Sequence, residues 1–264
     1  MEILQREIAE HLRMPRENLQ VLQEVDSTNT YCKTLALQDA ADGTIVLAER
    51  QTAGRGRLGR SFQSDNPMGI YLSALWRMDV TPQQLMVLPA LAAVAACRAV
   101  ERVGGCALEI KWPNDLVLHG RKVGGILTES VWNSGKSATV TGIGINVCHG
   151  TEDFAPELRG MAASLQMLLE KEISRGALAA ALIEELDLLR TDAWAEQAQW
   201  LAEYRRRCLT TGKEVQIITG DTRRVATALE VDENFGLVVR ESDGTQNTVY
   251  AGEVSVRGLY GYAP

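Results

Sequence analysis

The chain has 264 residues, a length that allows one large domain or two smaller ones. Its 45% of hydrophobic and 23% of charged residues exclude a disordered or fibrous chain, and a formal net charge of -7 disfavours a protein that binds nucleic acid over a broad surface. The longest apolar run, residues 85–97, is shorter than the roughly 20 residues that cross a membrane. Five scattered cysteines and three isolated histidines predict reduced thiols in the cytoplasm and no zinc site.

In the first third of the chain, the spacing of apolar and turn residues predicts helices and strands in alternation. In chain order, the predicted elements are a helix over 2–12, a strand over 19–25, a helix over 28–37 and strands over 44–48 and 69–76. Residues 51–66 are polar and rich in Gly and Arg, so we predict a loop there. Thr81 and Pro82 form an N-cap and first-turn pair that opens an apolar helix to about Val103, which Pro89 should kink or split.

The remainder predicts four more strands, two helices and a separate β-rich end. The strands are predicted over 108–112, 116–118, 123–131 and 138–147, and the helices over 174–189 and 191–208. Five short strands are predicted after Thr211, over 214–218, 225–231, 237–240, 247–250 and 253–257. Short strands at this spacing indicate a small barrel. We therefore divide the chain into residues 1–211 and 212–264.

The loop that begins at Gln51 is strongly cationic for an acidic protein. Four arginines lie within eleven residues and no acid accompanies them: Arg50, Arg55, Arg57 and Arg60. Glycines let the backbone turn tightly and approach a ligand, and guanidinium groups suit carboxylates and phosphates. The segment favours a flexible loop that binds a small anion. Nucleic acid, or a plain solvated turn, is the alternative.

Three further segments carry polar or glycine residues at predicted strands. The run from Lys111 to Asp115 follows a strand, where polar residues often face a site, although such turns are commonly structural. The pairs Gly124–Gly125 and Gly142/Gly144 lie in adjacent predicted strands, which normally avoid glycine. The second pair points to one face of its strand. Either a slot for a slender ligand or a pair of β-bulges explains these glycines.

Together these segments closely resemble the biotin protein ligases. The matching motifs are Asp-Ser-Thr-Asn at 26–29, Gly-Arg-Gly-Arg-x-Gly-Arg at 54–60, Lys-Trp-Pro-Asn-Asp at 111–115, Lys-x-x-Gly-Ile-Leu-x-Glu at 122–129, Gly-x-Gly-x-Asn at 142–146 and Gly-Glu-Val-Ser-Val-Arg at 252–257. They occur in order over about residues 24–258. The resemblance implies an α+β fold, in which a mixed β-sheet flanked by helices, similar to class II aminoacyl-tRNA synthetases, precedes a small SH3-like β-barrel.

The resemblance also implies an activity. Such ligases join biotin to ATP, with Mg²⁺, as biotinyl-5′-AMP, and then transfer biotin to a lysine of a carboxylase carrier domain. We expect a monomer or homodimer that binds neither nucleic acid nor membrane. Only 25 residues precede Asp26, too few for a winged-helix DNA-binding domain. A lipoate ligase is one alternative, and a nucleic-acid-binding regulator that uses residues 50–60 is another.

Residue roles follow from the resemblance alone. Implied biotin contacts are Ser27, Thr28, Asn29, Gln51, Gly54, Arg55, Gly56, Arg57, Lys122, Gly125 and Gly142. Implied nucleotide contacts are Arg60, Phe62, Lys111, Asn114, Gly144 and Asn146. Implied catalytic residues are Arg55, Arg57, Arg60, Asp115 and Lys122, of which Asp115 would orient or deprotonate the acceptor lysine. Residues 148–155 would form a second loop over adenine. Phe62 departs from the family's frequent Trp, and no metal ligands are implied.

Overall fold

Two β-sheets organise the chain in the computed structural model, which describes residues 3–77, 81–133, 136–250 and 254–258. The larger sheet has seven strands: β1 Leu19–Val25, β2 Thr44–Gln51, β3 Gly69–Trp76, β4 Glu109–Lys111, β5 Asp115–Leu118, β6 Arg121–Asn133 and β7 Lys136–Asn146. Their order is β1-β2-β3-β7-β6-β5-β4. Strands β1 and β2 are parallel and the other neighbours antiparallel, so the sheet is mixed, as predicted.

Helices cover both faces of this sheet. They are α1 Ile3–His11, α2 Thr28–Leu37, α3 Pro82–Gly104, α4 Leu165–Leu169, α5 Arg175–Asp192 and α6 Gln197–Arg207. Helices α3 and α5 pack together over one face, and α1 lies against α5. Helix α2 packs on the opposite face, where Cys32 and Ala36 meet Val46 and Val140. The α+β arrangement of a mixed sheet flanked by helices is therefore confirmed.

Helix α3 is a central element of the core. Its start is fixed by a capping box, in which the Thr81 hydroxyl accepts from the Gln84 backbone and the Gln84 side chain accepts from the Thr81 backbone. The helix then runs unbroken through Pro89, so the expectation of a split there is wrong. Proline removes one backbone donor, and the burial of the surrounding apolar residues Leu88 and Leu91 offsets that loss.

The apolar composition of α3 reflects this burial. By length and hydropathy alone, residues 84–104 could cross a membrane, but most of this stretch is buried inside the molecule, as in the core helix of a globular protein. Six alanines between residues 90 and 99 let α5 approach closely, and all of them are buried. The stretch is thus explained by packing.

The C-terminal part forms a separate five-stranded sheet. Its strands are β8 Glu214–Thr219, β9 Thr222–Val231, β10 Leu237–Glu241, β11 Gln246–Val249 and β12 Val254–Gly258. They are antiparallel in the order β11-β10-β9-β8-β12. The Trp112 indole donates a 3.0 Å hydrogen bond to the Phe235 carbonyl oxygen, which joins this sheet to the turn between β4 and β5.

Helices α4 and α6 differ from the prediction. Helix α6 begins at Gln197 and not at Thr191, because α5 continues to Asp192 and a turn separates the two. Helix α4 was not predicted, since its five residues are too few to show a period, although Ser164 caps it by accepting from the Met167 backbone. Of the predicted elements and motifs, residues 2, 252 and 253 lie outside the described residues.

Candidate active site

A cavity of about 870 Å³ opens at the centre of the large sheet, within the usual range for small-molecule sites. It is bounded by parts of β2, β3, β6 and β7, by the predicted loop at residues 51–66 (the Arg-Gly loop) and by the turn at residues 111–115. All residues assigned from the resemblance line it except Gly54 and Asn146. Segments far apart in the chain therefore meet at one place.

One end of the cavity is a buried polar network. The Gln51 side-chain oxygen accepts from the Thr28 backbone at 2.8 Å and from the Thr28 hydroxyl at 3.1 Å. The Ser73 hydroxyl lies 2.8 Å from the Thr28 hydroxyl and 2.7 Å from Asn29 Oδ1. Gln51 also donates to the Ser64 hydroxyl at 3.0 Å. These mutual bonds hold several side chains in fixed orientations, as a site for a polar, uncharged group requires.

Glu129 extends this network toward the Arg-Gly loop. Its carboxylate accepts from Asn29 at 3.0 Å and Lys33 at 2.9 Å, and it forms a salt bridge with Arg55 at 2.9 Å. Burial opposes its charge, but the hydrogen bonds from Lys33 and Asn29 and the nearby Arg55 outweigh that effect and hold the pKa of Glu129 below its usual value. Sequence reasoning assigned Glu129 no role, although an acid at the end of a motif within a predicted strand was a usable signal.

The two glycines of β7, Gly142 and Gly144, leave room for the side chains of Asn29 and Phe62 to lie against the strand. A Cβ atom at Gly142 would overlap the Asn29 amide, and one at Gly144 would lie 2.6 Å from Phe62 Cε1. The Phe62 ring also meets the Tyr71 ring edge to face, with 6.4 Å between centroids. The predicted slot is therefore partly filled, since two side chains lie directly on the glycines.

The alternative prediction of β-bulges is correct for one pair of glycines only. The register between β5 and β6 shifts beside Gly124, where Leu116 pairs with Gly124 and Val117 pairs with Lys122. No such shift occurs on either side of β7 at Gly142 and Gly144. The glycines of β7 are thus required for close approach of side chains, and those of β6 accompany a bulge.

The Arg-Gly loop is a hydrogen-bonded hairpin. The Gly56 backbone donates to the Arg60 carbonyl at 2.7 Å, and the Phe62 backbone donates to the Gly54 carbonyl at 2.9 Å. At its tip Leu58 adopts a positive φ of 56° within a short 3₁₀ turn. A Cβ atom at Gly54 would collide with the Phe62 carbonyl and the Ser64 hydroxyl. Gly54 therefore permits the hairpin itself and does not line the cavity.

A second charged cluster lies where β5 meets β6. The Lys122 ammonium forms a salt bridge with the Asp115 carboxylate, and Arg57 donates to Asn114 Oδ1 at 3.2 Å. Burial lowers the pKa of the Arg57 guanidinium, and Asp115 opposes that shift. The Asn114 amide in turn donates to the Ile126 carbonyl. Cations from the hairpin and from β6 thus face the same part of the cavity.

The predicted second loop, residues 148–155, does not line the cavity. The Gln63 amide donates to the Asp153 carbonyl at 2.7 Å and accepts from the Ala155 backbone at 3.1 Å, so the loop at 148–155 is attached to the base of the hairpin. Residues 158 and 160–162 line the cavity instead. The Asn146 amide donates to the Ala163 carbonyl at 3.2 Å and therefore supports this segment from behind.

The small sheet also contributes to the cavity. Gln216 of β8 lines it, although it lies in the part of the chain assigned to a separate domain. No sequence signal distinguishes Gln216 from other polar strand residues. Tyr71 and Met161, which line the cavity, were also not predicted. Among the described residues, no three His, Cys, Asp or Glu side chains are grouped to hold a metal ion.

The sequence is similar to known ligases. Residues 21–146 match the biotin/lipoate A/B protein ligase family. The bifunctional ligase/repressor BirA of Bacillus spizizenii is 39% identical over 58% of this chain and 48% of that protein, so the chain spans about half the length of this relative. The biotin--[acetyl-CoA-carboxylase] ligase of Mycobacterium tuberculosis is 32% identical over 89% of this chain and 88% of that protein.

The fold is similar to solved structures as well. A biotin protein ligase from Aquifex aeolicus, in complex with biotin and ATP, matches with a TM-score of 0.80 and 27% identity over 92% of this chain and 100% of that chain. A ligase from Leishmania major, in complex with biotinyl-5-AMP, matches with a TM-score of 0.60 and 25% identity over 90% and 100%. Sequence and structure point to the same family.

Proposed function

Because the chain belongs to the biotin protein ligase family, we propose that it activates biotin with ATP and transfers it to a lysine of a carboxylase carrier domain. The observation that carries the proposal is a single cavity with a buried polar network at one end and clustered cations at the other. Biotin is a molecule of matching polarity, with an uncharged ureido ring at one end and a carboxylate at the other.

The polar network is proposed to bind the ureido ring. Ser27, Thr28, Asn29 and Gln51 are buried, and each contributes backbone or side-chain groups at this end. Gly142 lets the Asn29 amide lie against the sheet, and Gly125 lies beside Lys122 on the adjoining strand. The ring would then exchange hydrogen bonds with water for bonds to groups that are already oriented, which reduces the ordering cost of binding.

The cationic end is proposed to bring two anions together. In the first step a biotin carboxylate oxygen attacks the α-phosphorus of ATP, and the bond to the departing pyrophosphate breaks. Arg57 and Lys122 offset the repulsion between carboxylate and phosphate, and Arg60 serves the departing phosphates. Charges held in place by a hydrogen-bonded hairpin need no reorganisation as the reaction proceeds.

The adenylate is proposed to bind where the hairpin meets β7. Phe62 lies on Gly144 and lines the cavity, so a ring of the nucleotide is proposed to stack against its aromatic ring. Lys111 and Asn114 also line the cavity. In the second step the acceptor lysine amine attacks the acyl carbon, AMP leaves with the bonding electrons, and the amine releases a proton. Asp115 is proposed to orient that amine.

Mg²⁺ is proposed to enter with ATP. The described residues hold no three-ligand cluster, but Mg²⁺ is commonly held by one or two carboxylates together with substrate phosphates. Asp115, a carboxylate that lines the cavity, is paired with Lys122, so the substrate phosphates are proposed to supply the contacts of the ion. When bound, the ion neutralises phosphate charge.

Residues 1–211 are proposed as the catalytic domain and 212–264 as an SH3-like barrel, whose five antiparallel strands are described above. A cytoplasmic location is proposed from the five free cysteines.

Biotin-dependent exchange between ATP and labelled pyrophosphate tests the proposal. Wild-type protein with biotin and Mg²⁺ should exchange label well above an Arg55→Ala control, and replacing biotin by lipoate should remove the signal. Exchange no faster than the control would refute adenylation, and faster exchange with lipoate would favour the lipoate ligases. Incubation with an isolated carrier domain, followed by mass spectrometry of its lysine, tests the transfer step.

A further inference from the structure

Glu129 does not line the cavity, but it contacts two side chains that do, Asn29 and Arg55, and it also contacts Lys33. We propose that Glu129 is a positioning residue that anchors Arg55, and with it the Arg-Gly hairpin, at the polar end of the cavity. The proposal rests on the proposed function only in identifying that end as the biotin end. The Glu129 side chain is 19% exposed and the Arg55 side chain 44%, so the pair is partly shielded from water.

The bonds around Glu129 connect the hairpin to the floor of the site. Asn29 Oδ1 accepts from the Ser73 hydroxyl at 2.7 Å, so the amide nitrogen of Asn29 must face Glu129, where it donates at 3.0 Å. Asn29 also rests on Gly142 and donates to the Leu127 carbonyl at 3.2 Å. Through Glu129, therefore, Arg55 is linked to a side chain that is fixed on two strands.

The chemistry requires an acid at this position. Arg55 and Lys33 both point cationic donors at Glu129, and the Asn29 amide adds a third donor. An ionised carboxylate has two oxygens with about four acceptor sites, which satisfies all three. A glutamine at the same place has one acceptor oxygen and turns an NH₂ group toward cations. Removing the charge thus releases Arg55 without changing the size of the side chain.

The consequence is a hairpin that is anchored at the biotin end of the cavity by a bond within the chain. The tip of the hairpin is maintained by its own backbone bonds, so its placement on the sheet depends on side-chain contacts, of which the Arg55–Glu129 salt bridge is the one at the polar end. Ordering a loop during binding weakens affinity, and an existing tether reduces that cost. Loss of the tether should therefore weaken biotin binding while ATP binding changes little.

Two experiments test the tether, and the first does not depend on ligase activity. Limited trypsin digestion of ligand-free protein, followed by mass spectrometry, measures cleavage after Arg55, Arg57 and Arg60. Glu129→Gln should speed this cleavage severalfold. Lys33→Met is the matched control, because it removes the other cation from Glu129 but leaves the Arg55 salt bridge, and its cleavage rate should stay within about twofold of wild type.

The second experiment measures biotin and ATP binding by calorimetry. Glu129→Gln should raise the Kd for biotin about five- to tenfold and leave the Kd for ATP within about twofold, which a general loss of structure would not do. In an Arg55→Gln background, adding Glu129→Gln should have no further effect on biotin binding.

Equal cleavage rates in Glu129→Gln and wild type, or additive effects of the two substitutions on biotin binding, would overturn the tether. If Glu129→Gln fails to fold, faster cleavage of the wild-type hairpin at high salt supports the tether and an unchanged rate refutes it. Absence of biotin binding by the wild type would instead refute the proposed function, while the cleavage rates still decide the tether.

Discussion

Replacing Gly142 with alanine tests whether the polar end of the site is built as described. The new Cβ would overlap the Asn29 amide, and the strand register on both sides leaves β7 no freedom to shift. Asn29 would have to leave its bonds with Ser73 and Glu129. At about 1 kcal/mol for a neutral hydrogen bond and somewhat more for a charged one, the loss is about 2–3 kcal/mol of unfolding free energy. A drop in Tm of about 5–10 °C follows for a chain of this size.

Thermal unfolding followed by circular dichroism measures the stability change, and titration calorimetry measures biotin binding. We expect Gly142→Ala to weaken biotin binding by at least about tenfold, because a displaced amide forfeits roughly one hydrogen bond to the ligand. Gly160→Ala is the stability control, since a Cβ there meets no atom within 4 Å, and its Tm should change by less than about 2 °C. A Gly142→Ala protein with unchanged Tm and unchanged biotin affinity would refute the reasoning.

Lys122→Met should reduce pyrophosphate exchange by at least about 100-fold, because it removes a cation that faces the reacting anions. Its Tm should fall by less than about 3 °C, and a large fall in Tm with nearly normal exchange would contradict this role. Trp112→Phe should lower the unfolding free energy in urea by about 1–3 kcal/mol, since the buried Phe235 carbonyl loses its donor, and no change would contradict that bond. Burial lowers the pKa of His149 from 6.5 to about 4, so only the unfolded chain takes up this proton as pH falls below about 6.5. Between pH 7 and 5 this group should remove about 2 kcal/mol of stability, and His149→Gln should flatten that part of the profile; identical profiles would contradict it.

Local patterns predicted most of the large sheet. Residues 19–25 and 69–76 match β1 and β3 at both ends, because apolar residues bounded by turn residues determine strands locally. The helix at 28–37 also matches, with Ser27 as its N-cap. Of the kink or split expected at Pro89, the split does not occur, because burial of the surrounding helix offsets the lost backbone donor, and burial is a property of the tertiary structure.

The site could be predicted as a set of residues but not as a set of contacts. Motif resemblance selected the residues that line the cavity, yet it also selected Gly54 and Asn146, which serve the hairpin and the segment behind the cavity. It overlooked Glu129, whose partners come from α2 and the hairpin. Which side chains meet across a sheet depends on strand order and register, and a single sequence does not state either.

The indole-to-carbonyl bond between Trp112 and Phe235 bears on how this chain can be recombined with its relatives. The turn that carries Trp112 lines the cavity, and the small sheet supplies both its hydrogen-bond acceptor and Gln216 in the cavity wall. A chimera that joins one ligase's large sheet to another's small sheet therefore has to form this bond anew across the junction. Working hybrids should require that residues 111–115 and 232–236 be exchanged together, as one inherited unit.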